Sequence, residues 1–208
     1  RFARETPERR AAVLAAAAAT DTDPAGAVAT WMDAERWDRA EAELIQHAQG
    51  LVMQGRAREV QTLLSRFPPA QRQASGALQL LEGQLGWVRW NWAAAMTATA
   101  RAAECFEAAG NAVAARDARS YHCVAIQAAM DPTAPAYIER VLGDPLLAGA
   151  PRARALWAAA MWATRADQGR VGPLLDEMLD HLRGCTDLLS WYECCPVPPM
   201  VGLPGTRA

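Results

Sequence analysis

Trp37-Asp38-Arg39-Ala40-Glu41-Ala42-Glu43-Leu44-Ile45-Gln46-His47-Ala48-Gln49-Gly50-Leu51-Val52-Met53-Gln54-Gly55 is the stretch that decides the fold. Ala40, Leu44, Ala48 and Leu51 recur at spacings of four, four and three, which puts them on one stripe of an α-helix. Gly55 is the stop, because glycine readily takes the left-handed backbone that ends a helix. The stretch then occurs again. Trp92-Ala93-Ala94-Ala95 opens a run that closes at Gly110. One offset carries Trp37 onto Trp92, Ala40 onto Ala95, Ala48 onto Ala103, Leu51 onto Phe106 and Gly55 onto Gly110. The shared positions are small or apolar, whereas Glu41, Glu43 and His47 have no counterpart. Self-similarity of this kind marks units that bury their apolar stripes against neighbours. The repeat is therefore scaffold, and recognition is expected where the copies differ.

Working outward, the 208 residues suffice for one large domain or several repeats. With 51% hydrophobic and 21% charged residues, the composition is that of a folding chain rather than a disordered one. Ala is the commonest residue and the best helix former, while Val, Ile and Thr are sparse. All 21 basic residues are arginine. The net charge of −2 and the scatter of the arginines give no basic footprint for nucleic acid, so no direct nucleic-acid contact is expected. The longest apolar run, residues 11–19, falls far short of the roughly 20 residues that span a bilayer, so no membrane association is expected either. The chain opens on Arg1 with no charged-then-apolar leader and reads as a piece of a larger protein. Five dispersed cysteines, an odd number, fit reduced thiols and a cytoplasmic location.

The local signals predict around ten helices and no strand. Thr6-Pro7 and Asp23-Pro24 read as helix starts, with a proline in the first turn. Further helices are expected over about 37–54, 56–67, 76–89, 91–109, 111–130, 136–142, 152–166 and 173–182, with Pro68-Pro69 ending one of them. Glu35-Arg36 reads as a tight turn, and Gly169-Arg170 as a repeat of the Gly55-Arg56 turn. Short turns make neighbouring helices antiparallel. The expected architecture is all-α: a right-handed superhelix of stacked antiparallel hairpins, a tetratricopeptide-like α-solenoid, as one domain over 1–195. Residues 187–195 give no clear signal, and the proline-containing tail over 196–208 is expected to be extended or disordered.

The segment from Trp31 to Pro69 resembles the helical-repeat region of large ATP-dependent transcriptional activators with LuxR-type DNA-binding ends, the maltose-regulator family. The residues that carry the likeness are Trp37-Asp38-Arg39-Ala40, Leu44-Ile45-Gln46-His47-Ala48, Gly55-Arg56 and Leu63-Leu64 before Phe67-Pro68. Leu78-Gln79-Leu80-Leu81-Glu82-Gly83, Cys105-Phe106-Glu107 with Ala109-Gly110, and the opening Phe2-Ala3-Arg4-Glu5-Thr6 extend it. The likeness covers about residues 1–130 and, more weakly, continues to 183. The chain departs from the family in carrying Arg36 where the turn before Trp37 has glycine, and in holding no nucleotide-binding loop or helix-turn-helix. In such regulators this region receives an inducer or partner and relays that event to the ATPase. The resemblance thus implies a non-catalytic sensor or scaffold module of a bacterial transcriptional regulator, with a small-molecule inducer or protein partner. The alternatives are a general protein–protein adaptor unrelated to transcription and, behind it, a helical enzyme domain.

Candidate chemistry is thin. A phosphate-cradling Gly-x-x-x-x-Gly-Lys-Ser/Thr loop is excluded because the chain has no lysine. His122-Cys123 is adjacent on a helix, where side chains diverge by about 100°, so packing is expected rather than a nucleophile–base pair. His181 with Cys185, Cys194 and Cys195 matches no common zinc spacing, so no metal and no cofactor are expected. His47 reads as a partly exposed histidine, and Asp176, Glu177 and Asp180 as a solvated helix face. Eight tryptophans are many for this length. Trp37, Trp87 and Trp92 are expected as knobs between helices, while Trp157 and Trp162 stand evenly between core and site. The first helix of each hairpin is expected to line a concave binding face. On those helices Gln79, Glu82, Arg119, His122, Trp157 and Arg165 fall off the apolar stripe and are the expected ligand- or partner-binding residues.

Overall fold

The computed structural model describes residues 7–185, and every regular element among them is helical. Eleven α-helices follow in order: α1 (Pro7–Thr20), α2 (Pro24–Asp33), α3 (Trp37–Met53), α4 (Ala57–Arg66), α5 (Pro69–Ala74), α6 (Gly76–Val88), α7 (Trp92–Ala108), α8 (Ala112–Ala128), α9 (Ala134–Leu142), α10 (Gly149–Ala166) and α11 (Val171–Arg183). Helix α5 was not anticipated. Pro68-Pro69 does end α4, but Pro69 also occupies the first turn of the next helix, where its missing N–H costs nothing. The Gly169-Arg170 expectation is corrected as well. Those residues form a single 3-10 turn over Gln168–Arg170, in which Asp167 Oδ1 accepts from the Gly169 N–H at 3.2 Å. Residues 186–208, with Cys194, Cys195 and the expected extended tail, lie outside the described residues.

The two copies of the opening stretch become α3 and α7, each 17 residues long. Both end the same way. Gly55 and Gly110 take φ of 81° and 71°. The Arg56 N–H then reaches Leu51 O, and the Asn111 N–H reaches Phe106 O, both at 2.9 Å. These are the bonds of a Schellman stop, from the residue after the left-handed one back over the last turn. The same stop closes α2 at Glu35, α6 at Trp90 and α8 at Met130, with φ of 56°, 57° and 60°. There Arg36 N–H reaches Trp31 O, Asn91 N–H reaches Gly86 O and Asp131 N–H reaches Ile126 O. The left-handed residue before Trp37 is thus Glu35, not Arg36. Side chains are strained in that backbone by roughly 1–2 kcal/mol, so three of these five ends are held by their surroundings rather than by local preference.

The described chain divides into two compact units, at the step from Ala118 to Arg119. In the first unit, Val28, Met32, Ala40, Leu44, Leu51, Val60, Leu64, Phe67, Leu78 and Leu85 form one buried cluster. Helices α2 and α4 are clamped at both ends. The Arg56 guanidinium grips Asp23 at 2.7 and 3.0 Å, and Arg66 reaches Asp33 at 2.6 Å. Start meets start and end meets end, so α2 and α4 run parallel. Asp23 also caps α2 by accepting from the Gly26 N–H. The Arg56 contact holds the Asp23 carboxyl below its ordinary range.

Helices α6 and α7 pack differently, along glycines. A Cβ on Gly76 would lie 2.9 Å from the Phe106 ring, one on Gly83 2.5 Å from Thr99 Cγ2, and one on Gly86 2.9 Å from the Ala95 backbone nitrogen. Rising residue numbers on α6 meet falling numbers on α7, so the pair is antiparallel and its backbones nearly touch. In the second unit, α10 packs on α9 and α11. Its core is Ile138 and Val141 of α9, Leu156, Ala160 and Ala163 of α10, and Met178 and Leu182 of α11. Glu177 was expected on a solvated face. It instead accepts from Arg152 Nε and Nη2 at 2.9 and 2.7 Å and ties α11 to α10.

Candidate functional site

The expected binding residues fall into both units. Gln79 is buried, and its amide donates to Arg72 O at 2.9 Å, joining α6 to α5. Glu82 is half-buried on α6. Arg119 and His122 are half-buried on α8, and the His122 ring meets Tyr137 edge-on at 4.9 Å. Trp157 is buried in α10 with 7% exposure, a core position, while Trp162 is half-buried. Arg165 is exposed in the last turn of α10.

The groups weighed for chemistry are engaged locally. Cys123 is fully buried, and burial pushes its thiol up, which disfavours the thiolate a nucleophile requires. His47 lies 3.3 Å from Glu43 one turn away. Cys185 Sγ contacts His181 O at 3.5 Å. Among the described residues no three His, Cys, Asp or Glu side chains converge as a metal site would require. One polar cluster escaped the sequence reading. The Arg154 guanidinium, 4% exposed, donates from Nε to Ser120 Oγ at 3.0 Å and lies 4.0 Å over the Tyr121 ring. Arg152 and Arg154 face nearly opposite sides of α10, about 200° apart. Alanine adjoins each of them and α10 is covered on more than one face, so the sequence does not show which arginine is buried.

The most distinctive surface is the turn joining α6 to α7. Trp87 and Trp92 meet edge-to-face at 4.9 Å, and Trp90 meets Trp92 at 5.4 Å with rings inclined by 68°. Edge-to-face pairs are favourable beyond their buried area, so each ring fixes the next. Trp87 and Trp92 are half-buried, as knobs between helices would be. Trp90 is 78% exposed, and neighbouring Val88 is 41% exposed. Trp90 also holds the left-handed backbone that glycine holds at Gly55 and Gly110. A bulky aromatic in that conformation, turned to solvent, serves the fold less well than glycine would. Asn91 caps α7 by accepting from the Ala94 N–H at 3.2 Å. Arg89 donates to Gln61 Oε1 at 3.2 Å and makes no ion pair among the described residues.

The first hairpin shows what the fold itself requires at this place. The same offset aligns Asp33 with Val88, Glu35 with Trp90, and Trp37 with Trp92. Trp37 is covered by Phe67, ring centres 5.9 Å apart. Asp33 pairs with Arg66. The first copy thus carries charge at the two positions where the second exposes apolar surface. The sequence signal was available in Trp87, Trp90 and Trp92, but it takes the burial of each ring to separate the exposed one from the knobs. No protein-family model, curated protein sequence or solved structure matches this chain, so the reading of the site rests on its own geometry.

Proposed function

We propose that this chain is a non-catalytic, helical-repeat binding module in which stacked antiparallel hairpins form a tetratricopeptide-like right-handed superhelix. The observation that carries the reading is Trp90, a strained and solvent-facing indole braced by Trp92, which Trp87 meets in turn, at a position the first copy fills with Glu35. Rigid aromatic side chains at the centre of a contact supply a large share of binding energy at low entropic cost. A scaffold with paired caps at its helix ends and a deviant aromatic turn is suited to holding a partner rather than to chemistry.

The assignment to a cytoplasmic bacterial transcriptional regulator, as its inducer- or partner-sensing part, is supported by the resemblance of residues 31–69 and 78–110 to the repeat region of LuxR-type activators. The coding sequence on either side tests it. A nucleotide-binding loop upstream and a helix-turn-helix downstream would support the regulator; an open reading frame lacking both would leave a general adaptor. Sensing of a small inducer is tested by thermal shift against sugars, amino acids and aromatic acids. A true ligand at 100 times its Kd stabilises by about 2.7 kcal/mol, and the absence of any shift would favour a protein partner over an inducer.

A further inference from the structure

We infer that the α6–α7 turn docks an acidic protein segment that carries an apolar side chain, with Trp90 as the apolar anchor and Arg89 as the charge that selects it. The inference rests on the binding-module reading and names its partner class. Charge is the observation that chooses the occupant. From Gly83 to Ala103 the chain holds no Asp or Glu, and its two cations are Arg89 and Arg101. Arg101 is already paired with Glu104 at 3.0 Å. Among the described residues the Arg89 side chain hydrogen-bonds only the neutral amide of Gln61. Arg89 is thus a cation one residue from the exposed indole, at the end of the hairpin that is free of acids; Glu82, Glu104 and Glu107 lie further along α6 and α7, away from the turn. The chain as a whole carries a net charge of −2, so this local positive surface runs against the global balance.

The first hairpin is again the reference. Over the aligned span from Val28 to Ala48 it carries Asp33, Glu35, Asp38, Glu41 and Glu43 against Arg36 and Arg39. A partner drawn to the second hairpin by opposite charge is repelled by the first. Complementary charge of this kind sets on-rate and selectivity, while the indole and Val88 supply the desolvated contact. Two copies of one hairpin would then be kept apart by electrostatics, and a single acidic segment would find one of them.

The test is selection of a random displayed-peptide library on the full chain, with counter-selection on Trp90→Gly. Glycine suits the left-handed backbone at that position, so the variant keeps the fold, and its circular dichroism checks this. Enriched peptides should contain Asp or Glu together with an aliphatic or aromatic residue. They should lose tenfold or more in affinity on Trp90→Gly, the factor expected of a hot-spot contact. Arg89→Gln should weaken them less and flatten their dependence on salt. Peptides that are neutral or basic, or that bind Trp90→Gly as tightly as the parent, would overturn this partner class while leaving a binding module in place. A chain that enriches no peptide overturns the inference, and if it also shows no thermal shift with any small molecule, the binding-module reading falls with it.

Discussion

The hairpins α2–α3 and α6–α7 align residue for residue yet are held together by opposite means. In the first, Val28 and Leu44 fill the seam with large side chains, both fully buried. In the second, the aligned positions are Gly83 and Thr99, and the helices close until a single added carbon would collide. One seam is stabilised by burying volume, the other by near contact of backbones, where dispersion acts at short range. One fold thus tolerates two packings provided the caps stay in place. The outer surface is free to diverge further: charged and clamped in the first copy, aromatic and exposed in the second.

The largest expected effect follows from the volume-filled seam. Leu44→Ala should cost about 2–5 kcal/mol, because a fully buried leucine leaves a cavity. Thr99→Ala at the aligned position should cost far less, since it removes one methyl group rather than most of a side chain, and its hydroxyl bonds Ala95 O and Met96 O of its own helix. Urea unfolding of both variants decides it, and equal losses would mean that the two seams work alike. Next comes the close seam. Gly86→Ala should cost about 1–3 kcal/mol, because the new carbon meets backbone atoms of Ala95 rather than a side chain that can turn away. An unchanged midpoint would show that α6 and α7 stand further apart than described.

Smaller effects concern the stops. Gly55→Ala should lower stability by about 1–2 kcal/mol, the strain of a left-handed alanine. Glu35→Gly should raise it by up to about 1 kcal/mol by removing the same strain. The smallest effect is electrostatic. Because Arg56 depresses the Asp23 carboxyl in the folded chain, the pair contributes stability above the ordinary carboxylate range near pH 4. That contribution is lost as the pH falls through the lowered value. Arg56→Gln should return Asp23 toward the ordinary range, as read by carboxyl NMR titration. An unmoved titration would mean that the clamp does not hold in solution.

Much of this scaffold was legible in the sequence because helix stripes and stops are local. Ala40, Leu44, Ala48 and Leu51 are buried as their spacing required, and Gly55 and Gly110 end their helices. Helix α5 was missed because a double proline reads as a break even when the second proline starts a helix. Glu35, Trp90 and Met130 could not be recognised as stops, since their left-handed backbone is imposed by packing and not by residue type. Gly83 and Gly86 look like helix weaknesses until Thr99 and Ala95 are set against them. The expected site residues were chosen for lying off the stripe, yet Gln79 and Trp157 are buried because more than one face of their helices is covered. Trp87, Trp90 and Trp92 share one cluster, and only exposure separates Trp90, the proposed anchor, from the other two.

The second hairpin is proposed to be a recognition copy of a structural first. Replacing Val88→Asp and Trp90→Glu together installs on α6 what the first hairpin carries at the same two places. The circular dichroism should remain that of the parent chain, while the affinity for selected acidic peptides should fall tenfold or more. Undiminished binding by a correctly folded double variant would contradict the claim.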